Sequence, residues 1–207
     1  MHETEYAKFR SRPLRWLLRC SWSAVAMHWA FQSLFYMDAT ERWFKIGLDV
    51  LLTAGLGILL DRWLPWSIAW TIGFMIAHTL NFLFNGQLWG ALKHYGSLHQ
   101  TFEDFARYVD AFAQRAGREP SIASVLVYGS LSRQTWSPSS DLDARIVRQP
   151  GLLNGLRACW FLLQERSRAL VQRFPLDVYV IDSPRALDKL RTDEEAISLH
   201  DTKRDHG

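Results

Sequence analysis

Apolar and polar positions divide the chain into two halves with different periods. In the first, apolar residues run on without alternation: Leu64 to Leu92 has no charged residue, and Trp43 to Leu60 has only Lys45 and Asp49. Trp66 to Phe84 is long enough to cross a hydrocarbon core, which takes roughly 20 helical residues. The short link Asp61–Pro65 makes the two predicted helices antiparallel neighbours, a hairpin over about 43–60 and 66–84. A third uncharged run, Cys20 to Met37, puts Ser21, His28 and Gln32 on one helical face. That favours a helix lying in the membrane interface over a third crossing.

In the second half the periods are those of mixed helix and strand. Phe102, Phe105, Ala106, Val109 and Phe112 recur at helical spacing, which predicts a helix from Ser97 to Arg118 that Gly117 ends. Ile122 to Tyr128 reads as a strand and Leu142 to Val147 as a second, followed by a helix from about Leu152 to Phe174. Leu176 to Ile181 is a third strand, with Val178 and Val180 on one face and Asp177 and Tyr179 on the other. Ser183 caps a short helix opened by Pro184. After Thr192 the polar composition predicts a frayed tail. The expected organisation is a basic interfacial helical segment (1–42), a transmembrane helical hairpin (43–92), an α+β domain with a mixed sheet (97–192) and a polar tail (193–207).

Charge and composition sharpen the membrane reading. Eight of the ten tryptophans precede residue 90, and Trp43, Trp63, Trp66 and Trp89 stand at the ends of the two long runs, where aromatic belts lie. Lys8, Arg10, Arg12, Arg15, Arg19, Arg42 and Lys45 precede the hairpin's first run or stand at its start, Lys93 follows the second, and the turn offers only Arg62 beside Asp61. By the positive-inside rule both ends face the cytoplasm, with Lys45 close enough to an end to snorkel. Asp49 and His78 lie nearly equidistant from the turn, so the hairpin brings them to one depth as partners, with Asn81 as a helper. No cleavable signal peptide is expected, because the start is charged and the first apolar run lacks a small-residue cleavage pattern. The competing reading is a soluble bundle whose apolar helices are covered by protein. A net charge of +3 demands no nucleic acid, and Cys20 and Cys159 show neither metal spacing nor a disulfide framework.

The chemistry lies between residues 125 and 147. Gly129-Ser130 turns the chain out of the first strand, and Asp141 and Asp143 sit one residue apart at the start of the second, on one face. Two carboxylates so placed repel each other and call for a cation; hard oxygen donors suit magnesium with substrate phosphates. A Gly-Ser turn lets backbone N–H groups approach those phosphates.

This order of Gly129-Ser130, a loop of about ten residues, Ser140-Asp141-x-Asp143 on the next strand and Asp177 on a later one resembles the DNA polymerase β-like nucleotidyltransferase superfamily, over roughly residues 97 to 190. The resemblance implies a minimal nucleotidyltransferase fold. It also implies two Mg2+ ions held by Asp141, Asp143 and Asp177, with Asp177 activating an acceptor hydroxyl. Gly129, Ser130 and Arg133 would contact a nucleoside triphosphate. Arg133 reads equally as a solvent-exposed side chain, Arg145 as a phosphate or acceptor ligand or a structural partner, and Tyr179 and Trp136 as base platforms or packing residues; His94 and His99 read as headgroup-level or surface residues. The chain lacks the helical domain that larger members place after the core, so an acceptor pocket would come from the hairpin, a second copy of the chain or another protein.

The expected function is transfer of a nucleoside monophosphate from an NTP to an acceptor hydroxyl at the cytoplasmic membrane face, the acceptor being a lipid-linked glycan, a lipid or a protein. The alternatives are a non-catalytic nucleotide-sensing membrane regulator and a minimal enzyme that adenylylates proteins. No basic, aromatic-interleaved tract of the kind that grips nucleic acid follows the site.

Overall fold

The computed structural model describes residues 21–86, 88, 89, 100–183 and 197–201. The expected basic segment up to residue 20, His94, His99 and the helix opened by Pro184 lie outside them. The apolar half forms helices α1 (Ser21–Phe31), α2 (Ala39–Leu60) and α3 (Trp66–Asn85). At 1.5 Å per residue, α2 and α3 are about 33 and 30 Å long, and both are long and apolar enough to cross a membrane. They pack closely because glycine faces glycine: a Cβ on Gly73 would stand 2.9 Å from the Gly57 amide nitrogen. Covering by protein, which the soluble-bundle reading needs, is sparse. Only 11% and 28% of the two most apolar stretches are buried, and Leu51, Ile58, Ile68 and Ile76 are exposed. The 11 described residues of α1 span about 16 Å.

Asp49 and His78 meet within the hairpin, Oδ2 to Nδ1 at 2.7 Å, and the other ring nitrogen of His78 lies 2.9 Å from the Trp29 carbonyl, tying α1 to the pair. Asn81 takes no part in it. Its amide donates to the Lys45 carbonyl instead, because it sits a turn nearer the open end.

The second half folds into α4 (Phe102–Gly117), β1 (Ile122–Tyr128), β2 (Leu142–Arg148), α5 (Leu152–Gln172), β3 (Leu176–Ile181) and β4 (Ile197–Asp201). With the hairpin this makes a mixed α+β protein, its four-stranded sheet in the order β3-β2-β1-β4. β2 runs parallel to β3 and antiparallel to β1, and β4 runs antiparallel to β1. Val125, Val127, Ala144, Ile146, Val178 and Val180 face α4 and α5 and form the core with Phe105, Phe112 and Leu162. Glu165 on α5 is fully buried beneath Arg115 of α4 and is also bonded by Arg168.

Some element boundaries and assignments also differ from the sequence reading. α4 begins at Phe102, not Ser97, because Thr101 caps it by accepting the Asp104 N–H. The hairpin's first helix begins at Ala39, four residues before Trp43, because Glu41 finds a buried partner. Residues 197–201 of the expected frayed tail form β4: they cover the free edge of β1, and Leu199 packs against the core.

Candidate active site

Strand pairing assembles the acidic residues. β2 and β3 are in parallel register with Asp143 opposite Asp177, and Tyr128 at the end of β1 lies opposite Asp143. Asp141 precedes Asp143 by two residues and so shares its face. All three carboxylates converge, each offering an oxygen within 4.8 Å of the others. Three hard anionic donors this close, carried on paired strands, suit a divalent cation that binds through oxygen.

Gly129 makes the close approach workable. Its φ is +74°, and a Cβ there would collide with the Asp143 carboxylate. The following turn closes on itself: Arg133 N–H donates to the Gly129 carbonyl at 3.1 Å and Thr135 N–H to the Ser130 carbonyl at 2.9 Å. The Ser130 hydroxyl is buried with no protein partner, whereas the Arg133 side chain is exposed. Ser140 is buried and accepts the Ser137 N–H, fixing the loop just before Asp141.

Arg145 lies on the same face as Asp143 and stacks over the Tyr179 ring at 4.7 Å, while its guanidinium donates to the carbonyls of Ala144 and Asp177. Tyr179 is buried beneath it, so it packs rather than presenting a platform. Burial, reinforced by the negative charge of Asp177, raises its phenol well above the ordinary value and keeps it protonated. Trp136 packs on Phe102 and Phe105, with ring centroids 5.4 and 6.3 Å apart, and so belongs to the core. Burial pushes the Cys159 thiol up to about 12, which leaves it unreactive.

Sequence reasoning missed the seam that joins hairpin and sheet. Arg166 on α5 and Glu41 at the start of α2 form a buried ion pair at 2.7 Å. Together they satisfy the free edge of β3: Arg166 donates to the Val178 carbonyl, and Glu41 accepts the Val180 N–H, each at 2.7 Å. Arg166 also donates to Asn85 at the end of α3, and Lys45 donates to the Asn85 carbonyl at 2.6 Å. Lys45 is therefore 2% exposed instead of snorkelling. Alongside, Asp182 joins the Thr40 N–H to Arg148, and Asp38 accepts the Asp182 N–H. The signal was present on α5, where Glu165 and Arg166 interrupt the buried stripe of Ala158, Leu162 and Ala169. Charges standing in an apolar stripe need buried partners.

No known protein family, curated protein or solved structure was found to match this chain.

Proposed function

We propose that the chain is a membrane-anchored nucleotidyltransferase of the DNA polymerase β-like type, with a minimal catalytic domain over 97–192. The observation that carries this reading is the convergence of Asp141, Asp143 and Asp177 beside a glycine whose missing side chain leaves room for the Asp143 carboxylate. The orphaned Ser130 hydroxyl adds a hydrogen-bonding group suited to a phosphate oxygen.

The donor set fits two Mg2+ ions held by Asp141, Asp143 and Asp177; when bound, they supply charge stabilisation for the attacking and leaving oxygens. Gly129 and Ser130 seat the triphosphate, with Arg133 at its outer edge. Asp177 orients the acceptor hydroxyl and takes its proton as that oxygen bonds to the α-phosphorus. The bond from the α-phosphorus to the bridging oxygen breaks, and pyrophosphate leaves.

α2 and α3 cross the bilayer with both ends cytoplasmic, supported by the basic residues outside the turn and by Trp43, Trp63 and Trp66, each about 70% exposed near the helix ends. The catalytic domain then stands at the membrane surface. Full-length protein in nanodiscs, given each α-labelled NTP, Mg2+ and membrane extract, releases pyrophosphate and labels an acceptor. Full activity in Asp141→Ala/Asp143→Ala would refute the reading. The seam lends support to a second reading, a nucleotide-sensing regulator, since it couples the sheet edge directly to the hairpin. That reading requires metal-dependent nucleotide binding without pyrophosphate release.

A further inference from the structure

Helix α5 carries an apolar face that the core does not use. Between residues 100 and 183, the large apolar side chains left exposed are Phe102 of α4 and five on α5: Leu152, Leu153, Leu156, Trp160 and Val171. Single exposed apolar residues are ordinary, but one helix holding nearly all of them makes a patch. At 3.6 residues per turn the five fall within an arc of about 100°. That arc lies opposite the side that Ala158, Leu162 and Ala169 bury in the core.

The patch adjoins the hairpin, because α5 crosses the hairpin's open end. Gly155 stands against Thr40 in the first turn of α2, where a Cβ would come within 2.8 Å of the threonine methyl. Further along α5, Arg166 donates to the Asn85 side chain, and the Ser167 hydroxyl lies 3.2 Å from the Phe84 carbonyl oxygen, both at the end of α3. Leu156 and Trp160 are each about 20° from Ser167 around the helix, and Leu153 about 40°. Depth follows from α2. Trp43, exposed near the end of that helix, marks the aromatic level of a membrane interface. Thr40 stands about 4.5 Å beyond it along the axis, so a helix resting on Thr40 lies among headgroups.

The charges suit that position. The one acid of α5, Glu165, is buried, so the helix presents no acidic side chain to its surroundings. Arg157 and Arg168 border the stripe, about 40–60° past Leu153. Arg157 pairs with Glu119, but Arg168 and Arg115 share Glu165, which leaves positive charge in excess. Arg173 is exposed at the helix end. Leucine and tryptophan bordered by arginine is the composition that seats a helix in a membrane interface.

We propose, on the hairpin's crossing and independently of the transferase reading, that α5 lies in the cytoplasmic interface of the bilayer with this stripe against lipid. The sheet domain is then held at two places, by the seam at β3 and by α5, and keeps a fixed tilt to the membrane.

The test is spin labelling of full-length Cys20→Ser protein in nanodiscs of phosphatidylcholine and phosphatidylglycerol. Single labels are attached at Leu153→Cys and Leu156→Cys, at Leu51→Cys on the exposed side of α2, and at Gln114→Cys on the outer side of α4. Cys159 is buried and takes no label. Oxygen, which partitions into lipid, relaxes the labels at Leu153, Leu156 and Leu51 more than a water-soluble nickel chelate does, and the order reverses at Gln114. The two α5 labels read about 5–10 Å into the headgroup–acyl boundary, shallower than Leu51. Chelate access at both α5 positions equal to that at Gln114 would overturn the proposal. So would exclusion of both reagents there, the mark of a second copy or another protein over the face. A Leu51 label open to the chelate would refute the hairpin's crossing itself.

Discussion

Acidic residues are housed in two contrasting ways in this molecule. In the hairpin and its seam three acids meet bases: Asp49 with His78, Glu41 with Arg166, Asp182 with Arg148. At the sheet face, acid meets acid, with Asp141, Asp143 and Asp177 brought within 4.8 Å of one another by strand register. The first arrangement holds parts together and becomes costly when halved. The second sets like charges together where a divalent cation could bind. The difference separates acids that hold elements together from acids that could hold a cation.

Removing the converging acids has the largest expected effect on activity. Asp141→Ala/Asp143→Ala lowers transfer by about a thousandfold or more, the consequence of losing several kcal/mol of charge stabilisation. In metal-free buffer its thermal unfolding temperature falls less than that of Arg166→Met; a fall as large would break the contrast. Halving the seam does the reverse. Arg166→Met leaves Glu41 buried without its partner and costs about 3–5 kcal/mol, read as thermal unfolding in detergent; the double variant Glu41→Gln/Arg166→Met recovers much of it.

Gly129→Ala sits between the two kinds of effect. Positive φ and the collision with Asp143 cost about 1–3 kcal/mol, and nucleotide affinity falls together with stability. Titration at Asp182 gives the smallest change. Burial pushes its carboxyl up, but hydrogen bonds from Thr40 and the Arg148 ion pair overcome that and hold it below the ordinary value. A depressed folded value contributes stability that is fully present above the unfolded pKa, about 3.9, and is lost as pH falls through the folded one. Acid unfolding in that window is therefore shallower in Asp182→Asn, which is less stable at neutral pH.

Much of this was legible in the chain because it is local. β1 and β3 fall on their expected residues, and the pleat alone places Asp141 with Asp143, and Asp177 away from Val178. Convergence of the three needs the parallel β2–β3 register, which no local pattern specifies. The hairpin was readable from length and the absence of charge, and the Asp49–His78 pair from equal distance to the turn. The seam was not, since it joins residues 125 apart in sequence, and Glu41 and Lys45 resemble ordinary flanking charges. β4 escaped notice because five residues in a polar tail show alternation too brief to stand out.

Manganese binding tests the central claim most directly. In full-length protein with a non-hydrolysable nucleoside triphosphate, electron paramagnetic resonance should count two bound Mn2+ ions per chain, a number that falls in Asp177→Ala and to none in Asp141→Ala/Asp143→Ala. Binding that is the same in these variants as in the unaltered protein, or that does not depend on the nucleotide, would contradict the account.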